Sequence, residues 1–248
     1  MVNTNALTSR RIEVSSSFDD IQDYYDELGW TDGLPVVPAT PDLVRKMLGE
    51  YGGDPSWSLG VIQPQNASVT IEKVAINAVM AGCRPEHFPV VVAGIQAILK
   101  PEFNLAGCQA TTGGAAPVTI VNGPIARDLD INGDTGCFGP GHRSNAVIGR
   151  AIRLVIRNIA GLIPGEMDKA TLALPARYTF CFAENEARSP WEPRHVELGM
   201  EPDQSMVTIS AIRGLYVVME STVPTGLDVL KTLVESTQTT GFSNYYQI

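Results

Sequence analysis

Residues 132 to 158 read NGDTGCFGPGHRSNAVIGRAIRLVIRN, with a thiol, an imidazole and a cluster of glycines set directly before an apolar helix that carries four arginines. Free N–H groups at a helix start, together with Arg143 and Asn145, suit a carboxylate or phosphate, and the same positive field would activate Cys137 as a nucleophile. The competing reading is a tight turn with Ser144 as the helix cap. The glycine spacing is not that of a Walker loop, and no strand leads into it as a dinucleotide fingerprint requires.

Two further stretches hold groups of this kind. GCQATTGG, residues 107 to 114, offers Cys108, Thr111 and Thr112 on a backbone of small residues that can approach a ligand and present N–H groups to an anion; otherwise it is an ordinary loop with a half-buried cysteine. FAENEARSPWEPRHVELG, residues 182 to 199, crowds Glu184, Glu186, Glu192, Glu197 and His195 into one loop, stiffened by prolines on either side of Trp191. A carboxylate beside a histidine orients its tautomer and raises its basicity, the usual arrangement for acid and base work. A surface loop whose acids merely pair arginines is the plain alternative.

The arginines bear on that choice. Arg150, Arg153 and Arg157 share one helix face, and Val147, Ile148, Ala151, Ile152, Leu154, Val155 and Ile159 cover most of the rest, so the helix is expected to be buried on most sides. An unpaired interior guanidinium costs on the order of several kcal/mol, so at least one of the three should meet a carboxylate. The acids of the 182 to 199 loop are the expected partners.

Metal and cofactor signals are sparse. His87, His142 and His195 show no HxH or HExxH spacing, so a dedicated zinc site is not expected, although a Cys, His and Glu site from distant loops stays open. Cys83, Cys108, Cys137 and Cys181 form no C-x-x-C pair. No cofactor fingerprint is present, and the cofactor is left unassigned.

Hydrophobic periodicity supplies the scaffold that must position these groups. Ser17 and FDDIQDYYDELGW predict a capped amphipathic helix, TDGLPVVPAT an extended crossing segment, PDLVRKMLGEY a helix begun by Pro41, and SLGVIQP a strand. Residues 69 to 82 and 84 to 100 predict two buried helices. PVTIVNG predicts a buried strand that carries Asn122 near its end, PIARDLDIN a short helix or turn, and residues from about 144 to 160 the arginine helix. RYTFCFAENE and SMVTISAIRGLYVVME predict further strands, and GLDVLKTLVEST a last helix. The expected class is α/β or α+β, a mixed sheet with flanking helices. Residues 18 to 248 are expected to form one large domain or two intimate lobes behind a loose leader, residues 1 to 17.

A formal charge of −9 argues against nucleic acid or anionic membrane as partners, because phosphate neutralisation needs clustered, accessible Lys and Arg. Only 18% of residues are charged against 44% hydrophobic, which predicts more covered apolar surface than usual, in a homo-oligomer or against a second protein subunit. No run of eighteen uncharged apolar residues occurs, and the N-terminus lacks the apolar segment of a secretory signal, so a cytoplasmic location is expected.

WTDGLPVVP (30 to 38), AGCRPEHFPVV (81 to 91), QATT with IVNGPIA (109 to 112, 120 to 126) and CFAENEARSPWEPRHVE (181 to 197) resemble an uncharacterised, widespread bacterial family associated with UGSC-motif (seleno)proteins. The resemblance covers nearly the whole chain and brings no reaction with it. It implies His195 rather than His142 as the working histidine, since relatives often carry another residue at the latter position. Relatives continue beyond GFSNYYQI into a further helical segment, which implies that this chain is one subunit of a split enzyme.

The resulting expectation is an enzyme acting on a small anionic substrate by thiol-assisted and acid–base chemistry of lyase or hydrolase type. His195 with Glu184 or Glu192 would move protons, and Cys108 or Cys137 would be the nucleophile. Arg143, Asn145, Thr111, Thr112 and Asn122 would hold the substrate. The alternative is a non-catalytic or substrate-presenting subunit of a heteromeric redox complex of UGSC type, whose partner carries the chemistry.

Overall fold

The longest of the described helices is the arginine helix, Arg143–Asn158, and the architecture follows from what it buries. A computed structural model describes residues 7–52, 54–222 and 225–238. It divides into two compact units, Met1–Arg213 and Gly214–Ile248.

The first unit opens with α1 (Phe18–Glu27) and α2 (Pro41–Tyr51), the latter begun by Pro41 and capped by the Thr40 hydroxyl, which accepts from the Leu43 N–H. A hairpin follows, β1 (Ser58–Ile62) antiparallel to β2 (Ala67–Thr70). Then come α3 (Ile71–Met80), α4 (Phe88–Ile98) and α5 (Leu105–Gln109). Strand β3 (Ala116–Asn122) leads into α6 (Pro124–Asp128) and α7, the arginine helix. Strand β4 (Cys181–Ala183), the short α8 (Arg194–Glu197) and β5 (Met206–Ile212) complete it. The second unit contributes α9 (Gly226–Gln238).

The second sheet has the order β4-β3-β5, with β3 parallel to β4 and antiparallel to β5. The fold is α+β, with one antiparallel hairpin and one three-stranded mixed sheet. Val121 pairs with Ala183, so β3 and β4 end side by side and hand Asn122 and Glu184 to the same sheet edge. Fully buried side chains of α3, α4 and α7, among them Val74, Val91, Ile95, Ile152 and Val155, fill the space beside this sheet. Gly149 lets α7 lie directly on the chain entering β4: a Cβ there would stand 2.6 Å from the Phe180 nitrogen.

Several local expectations shift. Residues 67–70 pair as β2 before the helix starts, because Val69 packs into the core from a strand and the Thr70 hydroxyl then caps α3 by accepting from Lys73 N–H. Cys108 sits on a short helix rather than an open loop. Ser144 does not cap α7; His142 holds that place without a side-chain bond, and the Ser144 hydroxyl is held instead by the Leu129 carbonyl and the His87 ring.

The arginine helix is buried as its pattern predicts, but its partners come from elsewhere. Arg150 pairs with Asp32, Arg153 donates to Gln109 Oε1 and the Arg177 carbonyl, and Arg177 pairs with Asp168. Glu184 and Glu186 of the 182–199 segment are turned instead to the place where β3 and β4 end, and Glu197 pairs with Arg194. Burial, reinforced by the nearby Arg177 charge, lowers the Arg153 pKa to about 10. Among the described residues no helix is long and apolar enough to cross a membrane.

Candidate functional site

Backbone direction builds the site. The apolar run of β3 carries the chain through the core and releases it at Asn122, which is fully buried. Gly123 then turns with φ +83°, a conformation that favours glycine, and a Cβ there would stand 2.1 Å from the Gln204 carbonyl oxygen. β4 ends beside it at Ala183, and Glu184 and Glu186 follow with one residue between them.

The Asn122 amide nitrogen donates to both carboxylates, to Glu184 Oε2 and, at 3.2 Å, to Glu186 Oε1. Glu184 also accepts the Arg194 N–H at 3.0 Å, and Glu186 accepts the Gly123 N–H at 2.7 Å. Arg127 Nη1 lies 3.5 Å from Glu186 Oε2. Two carboxylates are thus held close together by donors fixed to three elements, an arrangement that offsets their repulsion.

His195 completes the cluster. It is 1% exposed, and its Nδ1 lies 3.6 Å from Glu186 Oε1, near enough for charge attraction but too long for a hydrogen bond. Among the described residues neither ring nitrogen has a hydrogen-bond partner, and the Asn122 Oδ1 is likewise buried without one. Buried polar atoms are rarely left so, and these three belong to two side chains that both neighbour Glu186 Oε1; Arg157 Nε, Asn158 Oδ1 and Arg177 Nη2 are buried in the same way elsewhere.

The thiols divide between the two ends of the sheet. Cys108, Thr111 and Thr112 precede β3 and lie toward its amino end, where the Gln109 side chain donates to the Ala115 carbonyl. Asn122, Glu184 and His195 gather at the carboxyl end, roughly 20 Å away along the strand. Burial pushes the Cys108 thiol up, with the Arg213 charge opposing, and its sulfur donates to the Phe103 carbonyl. Cys137 lies nearer the carboxyl end: its loop is anchored to β4 by the Ala183 N–H on the Asn132 carbonyl, and Phe138 packs edge-on against Phe180 and Phe182. Asn145 commits its whole amide to this loop, accepting from Asn132 N–H and donating to the Asn132 and Cys137 carbonyls.

The remaining sequence candidates stand apart. Arg143 is exposed and donates to the Gly82 carbonyl. Glu192 is exposed beside Trp191, with no partner among the described residues. The Thr111 hydroxyl accepts from Gly113 N–H, and Thr112 accepts from Thr171 N–H through its carbonyl. Gly123 and Arg127 enter the site without having been singled out, and Glu186, named with the acids of its loop, takes the place beside His195 that was expected of Glu184 or Glu192. His87 and Ser144 touch at 3.2 Å, but His87 Nδ1 accepts from Arg84 N–H, so Nε2 carries the proton and cannot serve Ser144 as a base. Among the described residues no group of three His, Cys, Asp or Glu side chains is placed to hold a metal ion.

No protein-family model, curated protein or solved structure matches the chain.

Proposed function

We propose that the chain is an enzyme that moves protons on a small anionic substrate, with His195 and Glu186 as the acid–base pair. Glu184 and Asn122 orient that pair, and the reaction is of lyase or hydrolase type. The observation that carries this reading is His195 itself: a buried imidazole beside a carboxylate, with both ring nitrogens unmet, at the carboxyl end of two parallel strands. Arg127, exposed beside Glu186, supplies positive charge for the substrate, while Arg188 and Arg194 pair with Asp134 and Glu197. Any thiol contribution falls to Cys137, whose loop flanks the same sheet edge. Four free cysteines support a reducing, cytoplasmic location.

The test is proton exchange. The wild-type chain, incubated in D2O with a panel of hydroxy- and keto-carboxylates, should exchange or eliminate at carbon on at least one member, read by proton NMR. A folded His195→Gln variant should lose about 10²-fold or more on that compound. Full retention of the rate would remove His195 from the chemistry.

The second reading, a non-catalytic or substrate-presenting subunit of a heteromeric redox complex, draws support from the second unit. There Leu215, Tyr216, Val217 and Met219 are exposed, as are Leu227, Leu230 and Val234 on α9. Such apolar surface is suited to a protein partner. Light scattering that gives a stable monomer of 26.7 kDa at micromolar concentration would count against both a homo-oligomer and an obligate partner.

A further inference from the structure

A cleft of about 770 Å³ in the first unit shares none of its lining residues with the β3–β4 edge. One wall is the N-terminal arm, Ser9 to Val14, and the opposite wall is the outer side of α3 with Tyr25 and Trp30. The arm is held by an unusual clamp. Glu72, 1% exposed, accepts the Thr8 and Ser9 N–H groups and the Thr8 hydroxyl, at 2.8 to 3.0 Å. Beyond that clamp the arm's backbone from Arg10 to Val14 makes no hydrogen bond among the described residues, so it can adjust to what lies beneath it.

The opposite wall is fixed. Asn158 donates to the Trp30 carbonyl and to Asn77 Oδ1, and Asn77 donates back to the Lys73 carbonyl. Tyr25 packs edge-on to Trp30, and its hydroxyl accepts from Ala39 N–H. Ile76, Met80 and Val44 make the interior apolar.

The charges at the cleft are unequal. Arg10, Arg11 and Lys73 line it and form no ion pair among the described residues, with Lys73 Nζ donating to the Ser68 carbonyl; of the two carboxylates there, Glu72 has both oxygens bonded within the arm clamp, which leaves Glu13 against three cations. We infer that this cleft is a binding site for an organic anion with an apolar body, of the class of medium-chain carboxylates. The apolar interior would take the chain, and the arm's arginines with Lys73 would meet the carboxylate. The cleft falls within the range of roughly 300 to 1,000 Å³ typical of small-molecule sites, and a mostly apolar lining with a few convergent polar groups is their usual composition.

Decanoate is the probe, and calorimetric titration of the full chain at low ionic strength is the measurement. Decanoate should bind once per chain, and 1-decanol at least ten-fold more weakly. Ile76→Trp, which fills the interior from a half-buried position, should abolish binding, and R10A with R11A together should weaken it about ten-fold. Failure of decanoate to saturate, equal affinity for decanol, or binding indifferent to Ile76→Trp would overturn the assignment. Should Ile76→Trp fail to fold by circular dichroism, photo-crosslinking with a diazirine decanoate decides on the wild-type chain. Adducts within residues 7–14, 21–30 or 73–80 support the site, and adducts elsewhere sink it.

Discussion

Arg150 and Asp32, 118 positions apart, meet as a two-pronged pair, Nε to Oδ2 and Nη2 to Oδ1, each at 2.8 Å. The Arg150 guanidinium also donates to the Leu34 and Pro35 carbonyls, so one side chain of α7 holds the turn after α1 in place. Both side chains are nearly buried, at 14% and 12% exposure, and removing one charge strands the other. Asp32→Asn should therefore cost about 3 kcal/mol in urea denaturation at neutral pH.

The same pair sets a pH dependence. Burial alone would raise the Asp32 carboxyl, but the hydrogen bond and charge of Arg150, with the Leu34 N–H, outweigh it and hold the pKa below the ordinary value. A carboxyl lowered in the folded state contributes fully above its unfolded pKa and loses that contribution as pH falls through the folded value. The stability gap between wild type and Asp32→Asn should thus be full at pH 7 and shrink below about pH 4. A gap of constant size from pH 7 to pH 3 would contradict the linkage.

His195 offers a stability test that is independent of any substrate. Its two ring nitrogens are buried without hydrogen-bond partners among the described residues, and an unmet buried polar group costs about 1 to 3 kcal/mol. His195→Leu, similar in bulk and free of polar atoms, should leave the melting temperature unchanged or raise it while abolishing acid–base activity. A fall in stability of more than about 2 kcal/mol would mean that the ring is a structural element and would weaken the functional reading.

Gly123 is where the two strand ends are locked together. Gly123→Ala has to move the Gln204 carbonyl or distort the turn that gives its N–H to Glu186, and it should cost about 2 kcal/mol or more. Gly136 also has positive φ, at +73°, but open space around it, so Gly136→Ala should cost only about 1 kcal/mol. Equal losses in thermal melts would show that backbone conformation, and not the close approach, dictates glycine at Gly123.

What the sequence could reveal follows the range of the interactions involved. The apolar run of β3, the Pro41 helix start and the burial of the arginine helix depend on neighbours within a few residues, and periodicity reports them directly. The requirement that a buried guanidinium find a partner was equally legible, but the choice of Asp32 over the nearer-seeming glutamates depends on how the turn after α1 meets α7. Likewise Glu186 and Glu192 are the same residue type in one loop. Only the place where β4 releases the chain puts the first beside His195 and leaves the second in solvent. β2 was hidden because its four residues run without a break into the helix they introduce.

The thiols, indistinguishable by type, are separated by environment, and that separation can be measured. Burial pushes Cys83 up to about 12, with the Arg143 and Arg150 charges opposing it weakly, and its sulfur donates to the Val147 carbonyl. Cys181 is buried in β4 and pushed up further by the same cause. Against an ordinary thiol value near 8.5, such a shift reduces the thiolate at neutral pH by about 10³-fold. Cys137 is half-buried on a loop between exposed Gly136 and exposed Phe138. Iodoacetamide at pH 7.5, followed by peptide mass spectrometry, should therefore modify Cys137 first, Cys108 more slowly, and Cys83 and Cys181 only after urea unfolds the chain. Labelling of native Cys181 at the rate of Cys137 would refute the burial on which the ordering rests. A Cys137 as inert as Cys181 would remove the thiol from the proposed chemistry and leave the proton-transfer pair of His195 and Glu186 to act alone.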